Sequence, residues 1–146
     1  MTRRFEVYAS GAADPHDVWA LVGDLRRLPE WTDADAVEVG PGPVAVGTEF
    51  TTVAGGRRMD WRVRTLDRNL IEAATWLPSG VLGIGVRVLP QEGGGARVVL
   101  AGAFAPKGRL ASLRFALLGG PDLRRRFDRW SPVAAAAPPG IDGRFA

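Results

Sequence analysis

The sequence predicts an α+β fold in which a curved antiparallel sheet of about seven strands surrounds a long C-terminal helix, with two short helices after the first strand. Three observations predict it. A short strand pattern is followed by helical spacing, residues 37–105 alternate in polarity between glycine-rich turns, and helical spacing returns over residues 110–130. Because short connections join neighbouring strands in antiparallel fashion, this order gives one antiparallel sheet with helices to cover one of its faces.

The N-terminal region has the pattern of a strand followed by a capped helix. Residues 4–10 alternate in polarity, which indicates a strand. Asp14 is a typical N-cap and Pro15 suits the first helical position. An apolar stripe at helical spacing follows, formed by Val18, Leu21, Val22, Leu25 and Leu28. We expect Pro29 to end this helix, and residues 30–32 to form a short turn toward the sheet.

The central region is predicted to be an antiparallel meander. Its strands are residues 37–39, 48–53, 59–66, 71–77, 82–89 and 96–105, separated by turns rich in glycine, proline, asparagine and aspartate. Alternation is clearest in the third of these strands, where Met59, Trp61 and Val63 share one face. Charged residues occupy its other face, which therefore faces solvent.

The C-terminal helical region carries two apolar stripes that are out of phase. The first consists of Leu110, Leu113 and Leu117, and the second of Leu123, Phe127 and Trp130. At ~100° per residue the two stripes differ in direction by about a quarter turn, so a straight helix cannot bury both. Since Gly119, Gly120 and Pro121 lie between them, we expect a kink or break there, with Pro121 and Asp122 in the first turn of the second piece.

Length and composition indicate one globular domain. The chain has 146 residues, of which 46% are hydrophobic and 24% charged, as in ordinary globular proteins. The domain is predicted to span residues 1–131. Residues 132–146 contain an alanine run and several prolines without an apolar face, and we predict a flexible tail there.

Composition also excludes several classes of site. With no cysteine and one histidine, the chain cannot form disulfides or a thiolate or histidine metal cluster, and we predict no metal and no cofactor. No window approaches the ~18 consecutive apolar residues of a membrane span, and no signal peptide is apparent, so a cytoplasmic location is predicted. The pI near 10.5 reflects a net charge of only +3, and no nucleic-acid-binding motif accompanies it. A monomer and a homodimer are both compatible with the sequence.

Several segments resemble one superfamily. Residues 14–25 (DPHDVWALVGDL) and 28–31 (LPEW), followed by 46–50 (VGTEF), 59–63 (MDWRV) and 94–98 (GGARV), resemble in order and spacing the polyketide cyclase and START-related (SRPBCC) superfamily, which has the Bet v 1-like or helix-grip fold. The similarity covers about residues 4–130, and its motifs are mostly structural. It implies a cavity between sheet and helix that binds lipids, hormones or polyketide intermediates.

The candidate ligand-binding residues are bulky apolar side chains expected on the inner faces of the sheet and the last helix: Trp31, Phe50, Met59, Trp61, Trp76, Leu113 and Leu117. The alternative is that these residues fill a closed core, which is the commoner role of aromatic stripes. Trp31 stands apart because a tryptophan just past a helix end is placed where the cavity should open.

No recognisable catalytic constellation is present, and the sequence leaves open whether the protein is an enzyme. Tyr8, Glu49 and Arg87 are the weak catalytic candidates. Arg87 can bind a carboxylate or polarise a carbonyl if it faces inward, whereas the favoured alternative is an arginine on the outer face of the sheet.

Three functional hypotheses follow from the sequence. The first is binding or carriage of a small hydrophobic molecule, lipid or polyketide-like, in an internal cavity. The second is a polyketide aromatase or cyclase of the cyclase/dehydratase type, acting on a poly-β-ketone intermediate. The third is a protein-interaction module, which would carry a large exposed apolar patch.

Overall fold

The computed structural model describes residues 2–139, which form one sheet and a set of helices. The strands are β1 (Arg3–Gly11), β2 (Ala36–Val39), β3 (Glu49–Ala54), β4 (Arg57–Leu66), β5 (Leu70–Leu77), β6 (Gly80–Pro90) and β7 (Ala96–Pro106). The helices are α1 (Pro15–Val22), a 3₁₀ turn (Leu25–Arg27), α2 (Leu28–Trp31), α3 (Arg109–Arg114), a π turn (Phe115–Gly119) and α4 (Gly120–Ala135). The predicted fold class is therefore confirmed.

The seven strands form one antiparallel sheet in the order β1-β7-β6-β5-β4-β3-β2. Strands β2 to β7 each pair with their neighbours in sequence, as the short turns predict. β1 instead pairs along its length with β7. A bulge between Val63 and Thr65 shifts the register of β4 against β5, a device that bends a sheet.

The inner face of the sheet packs against α4. Alternate residues of β7, including Val98, Leu100 and Phe104, are buried. Phe127 of α4 is fully buried, and its ring centroid lies 5.4 Å from that of Phe5 on β1. A side chain at Gly102 would collide with the Phe5 ring, so glycine at this position lets the aromatic side chain lie flat on the sheet.

The first helical region agrees with its predicted start and differs at its end. Asp14 caps α1, with its Oδ1 accepting a hydrogen bond from the backbone N–H of His16 at 2.8 Å. The expected single helix does not continue to Leu28, because Asp24 caps a separate 3₁₀ turn by accepting from Arg26 N–H. Pro29 does not end a helix. It occupies the first turn of α2, where a backbone N–H has no acceptor within the helix, so proline costs no hydrogen bond there.

The phase difference in the C-terminal helix is absorbed by the π turn rather than by a break. The N–H of Gly120 donates to the carbonyl of Phe115, five residues earlier. Each residue of a π turn rotates less about the axis than the ~100° of an α-helix, so the segment shifts the preceding side chains by about a quarter turn. Pro121 and Asp122 lie in the first turn of α4, as predicted.

Only one of the two apolar stripes is directed inward. Leu123 and Phe127 are buried and Trp130 is half-buried. The other stripe points to solvent, a correction to the expectation that both are buried, and its members are Leu110, Leu113 and Leu117. The rotation in the π turn is the reason, because it brings Phe115 to the inner side and turns the leucines outward.

The last helix continues beyond the predicted domain boundary at residue 131. α4 ends at Ala135, and both Ala134 and Ala135 are buried. A side chain on Gly11, the last residue of β1, would collide with the carbonyl of Ala135, so the two elements approach closely. Part of the predicted flexible tail, residues 140–146, lies outside the described residues.

Candidate functional site

A cavity of about 760 Å³ lies between the inner face of the sheet and the helical elements. Its floor consists of inner-face residues of β3 to β7, such as Phe50, Ile71 and Leu100. Its other walls come from α1, α2 and the segment from α3 to α4. Exposed side chains, among them Arg57 and Arg58, complete the lining, so the cavity opens to solvent on that side.

Aromatic pairs form much of the cavity wall. On the sheet side, Phe50 and Trp61 stack with ring centroids 6.3 Å apart, and the Trp61 Nε1–H donates to Thr52 Oγ1 at 3.0 Å. Toward the helix, Phe104 and Phe115 stack at 4.4 Å. These contacts fix flat apolar surfaces on two sides of the cavity, which suits an apolar ligand.

A third aromatic pair joins α2 to α4. The rings of Trp31 and Trp130 meet edge to face, with centroids 6.4 Å apart. Both residues line the cavity, yet their indole Nε1 atoms are covered and have no hydrogen-bond acceptor within residues 2–139. Buried donors without an acceptor are unfavourable, so the packing of this pair is held by the surrounding apolar contacts and not by hydrogen bonds.

Charged residues are confined to the rim. Asp122 pairs with Arg126 within α4 at 3.2 Å. Asp33, just after α2, contacts Arg126 at 3.9 Å and Arg129 at 3.0 Å. These partly exposed pairs connect the end of α2 to the last helix, and each contributes modestly to stability.

Another ion pair lies at α2, between Arg27 and Glu30. The Arg27 guanidinium donates to both carboxylate oxygens of Glu30, at 2.8 and 2.9 Å. These hydrogen bonds lower the pKa of Glu30, and desolvation opposes them only in part. The same contact raises the pKa of Arg27.

Four of the seven predicted ligand-binding residues line the cavity, namely Trp31, Phe50, Met59 and Trp61. Trp76 does not, because β5 turns Thr75 inward and Trp76 outward, where it lies 52% exposed between Arg62 and Arg64. Leu113 and Leu117 are on the solvent side of the C-terminal helix, rotated away by the π turn.

The three catalytic candidates lie outside the cavity. Tyr8 is exposed on the outer face of β1, with the Arg97 guanidinium 4.9 Å from its ring centroid. Glu49 is exposed and forms a 2.7 Å ion pair with Arg62. Arg87 is exposed on the outer face of β6, between the inward residues Val86 and Val88, which corresponds to the alternative that the sequence favoured.

Sequence reasoning did not assign four aromatic residues to the cavity that line it, namely Phe104, Phe115, Phe127 and Trp130. Phe104 shares the inner face of β7 with Val98 and Leu100, so strand alternation could have identified it. Phe115 could not be identified in this way, because its inward direction depends on the π turn.

A second depression, of about 670 Å³, lies largely on the outer face of the sheet. Small residues of β6 and β7, such as Gly83, Gly85 and Ala101, form its floor, and charged residues including Glu72 and Arg64 lie at its sides. Short side chains leave little apolar wall there, so the inner cavity is the better candidate for an apolar ligand.

Neither a membrane-spanning helix nor a metal-binding cluster is found in residues 2–139. None of the described helices is long and apolar enough to span a bilayer. Over the same residues, no group of three or more histidine, aspartate or glutamate side chains is arranged to hold a metal ion.

Several solved structures have a similar fold at low sequence identity. A solution NMR structure of a Thermobifida fusca protein is 22% identical with a TM-score of 0.69, covering 92% of this chain and 90% of that one. Norcoclaurine synthase from Thalictrum flavum, solved with dopamine and hydroxybenzaldehyde, is 16% identical with a TM-score of 0.69, covering 96% of this chain and 90% of the synthase. A Nitrosospira multiformis protein is 11% identical with a TM-score of 0.72, covering 92% and 94%. At these identities the likeness concerns the fold alone.

The sequence itself identifies the family. No curated protein sequence matches this chain. The family described as "Polyketide cyclase / dehydrase and lipid transport" matches residues 2–132, which include the whole sheet and most of α4. The chain therefore belongs to the polyketide cyclase/dehydrase and lipid transport family.

Proposed function

We propose that this protein binds a small hydrophobic molecule, lipid or polyketide-like, in the cavity between the sheet and the C-terminal helix. The observation that carries the proposal is the distribution of side chains around the cavity. Stacked aromatic residues such as Phe50, Trp61 and Phe115 form apolar walls, while charged residues lie at the rim. The volume of about 760 Å³ is within the range of small-molecule sites.

The rim suggests how such a molecule is oriented. Arg57 and Arg114 line the opening and form no ion pair among the described residues, whereas Arg58 pairs with Glu38 and Arg126 with Asp122. A ligand with an apolar body and a polar or anionic end would place that end beside Arg57 and Arg114. A cytoplasmic carrier or sensor, acting without chemistry on its ligand, is the role we propose.

The alternative, a cyclase acting on a poly-β-ketone intermediate, has less support from the geometry. Tyr8, Glu49 and Arg87 lie outside the cavity, so none of them can reach a substrate bound there. The aromatic walls alone could fold a flexible substrate, but a proton donor or acceptor is also needed for loss of water. Rim groups such as Asp33 and Asp122 are held in ion pairs with arginines.

Titration with an apolar fluorescent probe tests the proposal. We expect saturable binding with about 1:1 stoichiometry and quenching of tryptophan emission, because three of the five tryptophans line the cavity.

Ala73→Phe, on the inner face of β5, should weaken binding by filling the cavity. Ala103→Phe, on the outer face of β7, is the matched control and should leave affinity unchanged. Absence of saturable binding by the folded protein, or equal affinity for both variants, would overturn the proposal. Native mass spectrometry of gently purified protein would identify a ligand that co-purifies.

A further inference from the structure

The segment from α3 into the π turn is apolar on its outer side. Its leucine face consists of Leu110, Leu113, Leu117 and Leu118, which are 81, 53, 66 and 64% exposed. The inward side of the same segment carries smaller residues such as Ala111 and Ser112, together with Phe115. An amphipathic helix normally buries its leucines, and four exposed on consecutive turns form a patch of the kind that marks an interaction surface.

Basic residues accompany the leucine face. Lys107, Arg109 and Arg114 are all exposed within or next to it. Between Glu92 and Asp122 the sequence contains no acidic residue, so nothing in this segment neutralises the positive charge. The combination of outward leucines with uncompensated basic side chains is typical of segments that bind in the interface of an anionic membrane.

The leucine face is also continuous with the opening of the cavity. Leu118 and Arg114 are exposed and at the same time line the cavity. The start of β4 contributes two further exposed residues to the lining, Arg57 and Arg58. A surface that contacted the leucine face would therefore also contact a basic rim around the opening.

We propose that the leucine face and its basic residues dock this protein onto the surface of a bilayer containing anionic lipids, with the cavity opening directed at the lipid. The leucines would enter the apolar edge of the bilayer while Lys107, Arg109 and Arg114 contact headgroups. A second copy of the chain is a poorer occupant, because pairing two leucine faces would bring like charges together. Docking does not depend on the proposed ligand binding.

Co-sedimentation with vesicles tests this proposal. The protein should bind vesicles of phosphatidylcholine with phosphatidylglycerol, bind those of phosphatidylcholine alone much less, and be released by salt, which screens the charges. The double variant Leu113→Gln, Leu117→Gln should bind anionic vesicles at least tenfold more weakly, because two apolar side chains are lost from the contact. Both positions are exposed and lie off the cavity, so folding and probe binding should be retained.

The control is Val46→Gln, which changes an exposed apolar residue in the connection between β2 and β3. This variant should bind vesicles like the unmodified protein. Equal vesicle binding by the double variant and the unmodified protein would overturn the proposal. A dimer that the double variant dissociates, seen by light scattering, would overturn it in favour of a second copy. If the protein is a monomer and binds neither kind of vesicle, the proposal would also be overturned. The partner of the leucine face would then be a protein with an acidic surface.

Discussion

Trp61 occupies the boundary between the packed core and the open cavity. Its ring stacks on Phe50 and its indole is fixed by Thr52, but part of its surface is not covered. Phe127, by contrast, is fully buried. The two residues allow the cavity to be distinguished from a filled core by stability measurements.

We expect Phe127→Ala to lower the free energy of unfolding by about 3 to 5 kcal/mol, because lost transfer energy adds to a new void. Trp61→Ala should cost about half as much, since one side of the ring already faces the cavity, and it should change probe affinity. Denaturant melts and probe titrations of both variants measure this. If Trp61→Ala is as costly as Phe127→Ala and leaves probe affinity unchanged, Trp61 does not belong to the site.

The ion pair of Arg27 and Glu30 gives a pH-dependent prediction. Because the pKa of Glu30 is lowered in the folded protein, the pair stabilises above the unfolded-state pKa, and this contribution is lost as pH falls through the folded-state pKa. Glu30→Gln should cost about 0.5 kcal/mol or less near neutral pH, since the Glu30 side chain is half exposed and solvent screens the pair.

In denaturant melts, the stabilities of Glu30→Gln and the unmodified protein should begin to converge as pH falls below about 4, where an ordinary glutamate takes up its proton, and should meet once the folded-state carboxyl is protonated as well. Glu92→Gln, in the exposed turn between β6 and β7, is the control, because Glu92 forms no ion pair among the described residues. A difference between Glu30→Gln and the unmodified protein that persists unchanged in acid would contradict the electrostatic explanation.

The π turn determines which side of the C-terminal helix faces the cavity. It has the effect of one extra residue, since an insertion of one residue in an α-helix also shifts side chains by ~100°. Deleting Ala116 should therefore convert the segment to a regular α-helix while Phe115 keeps its place against Phe104. Deleting Arg125 from the regular part of α4 would rotate Leu123 out of the core.

We expect the Ala116 deletion to cost clearly less free energy of unfolding than the Arg125 deletion, as measured by thermal or denaturant melts. Both deletions shorten the chain by one residue in the same helical region, so each serves as the control for the other. Equal losses would mean that the π turn does not act as a one-residue insertion.

The C-terminal helix also shows what sequence patterns could predict and what they could not. The spacing of the two stripes predicted a discontinuity near Gly119 and Pro121, and the π turn lies there. The same spacing could not tell which stripe would be buried, because that choice depends on tertiary contacts such as Phe104 with Phe115. Leu113 and Leu117 were therefore assigned to the cavity when they face solvent. Trp76 was assigned to the wrong face of the sheet, although the alternation of side chains along β5 is enough to indicate that it points outward.

The end of α4 holds the first and last parts of the domain together. Ala134, Ala135 and Ala137 are buried, and Gly11 lies against Ala135. Truncation after Ser131 should lower the free energy of unfolding by about 2 kcal/mol or more relative to truncation after Pro139, because it removes these buried groups. Denaturant melts of the two truncated proteins measure this. Equal stability would place the domain boundary at residue 131, as the sequence predicted.

The fold as a whole was predictable because its signals are local. Alternation and turn residues defined the strands β2 to β7, and Asp14 with Pro15 defined the start of α1. The position of β1 beside β7 is not encoded in any local pattern, and the sequence left the neighbour of β1 unassigned. The cavity was expected from the resemblance, whereas its rim, built from residues distant in sequence such as Asp33 and Arg126, was not.

The pairing of β1 with β7 has a consequence for how the chain acquires its structure. Residue Arg3 pairs with Phe104, so about a hundred residues separate the two sides of this ladder. Strands β2 to β7 can form in turn from neighbouring hairpins, but β1 must wait until β7 has been synthesised, and closing so long a loop slows folding. During translation the partly formed sheet would present an unpaired β7 edge until β1 docks. Misassembly between nascent chains therefore competes with folding at the step in which β1 docks onto β7, and not during the formation of the hairpins.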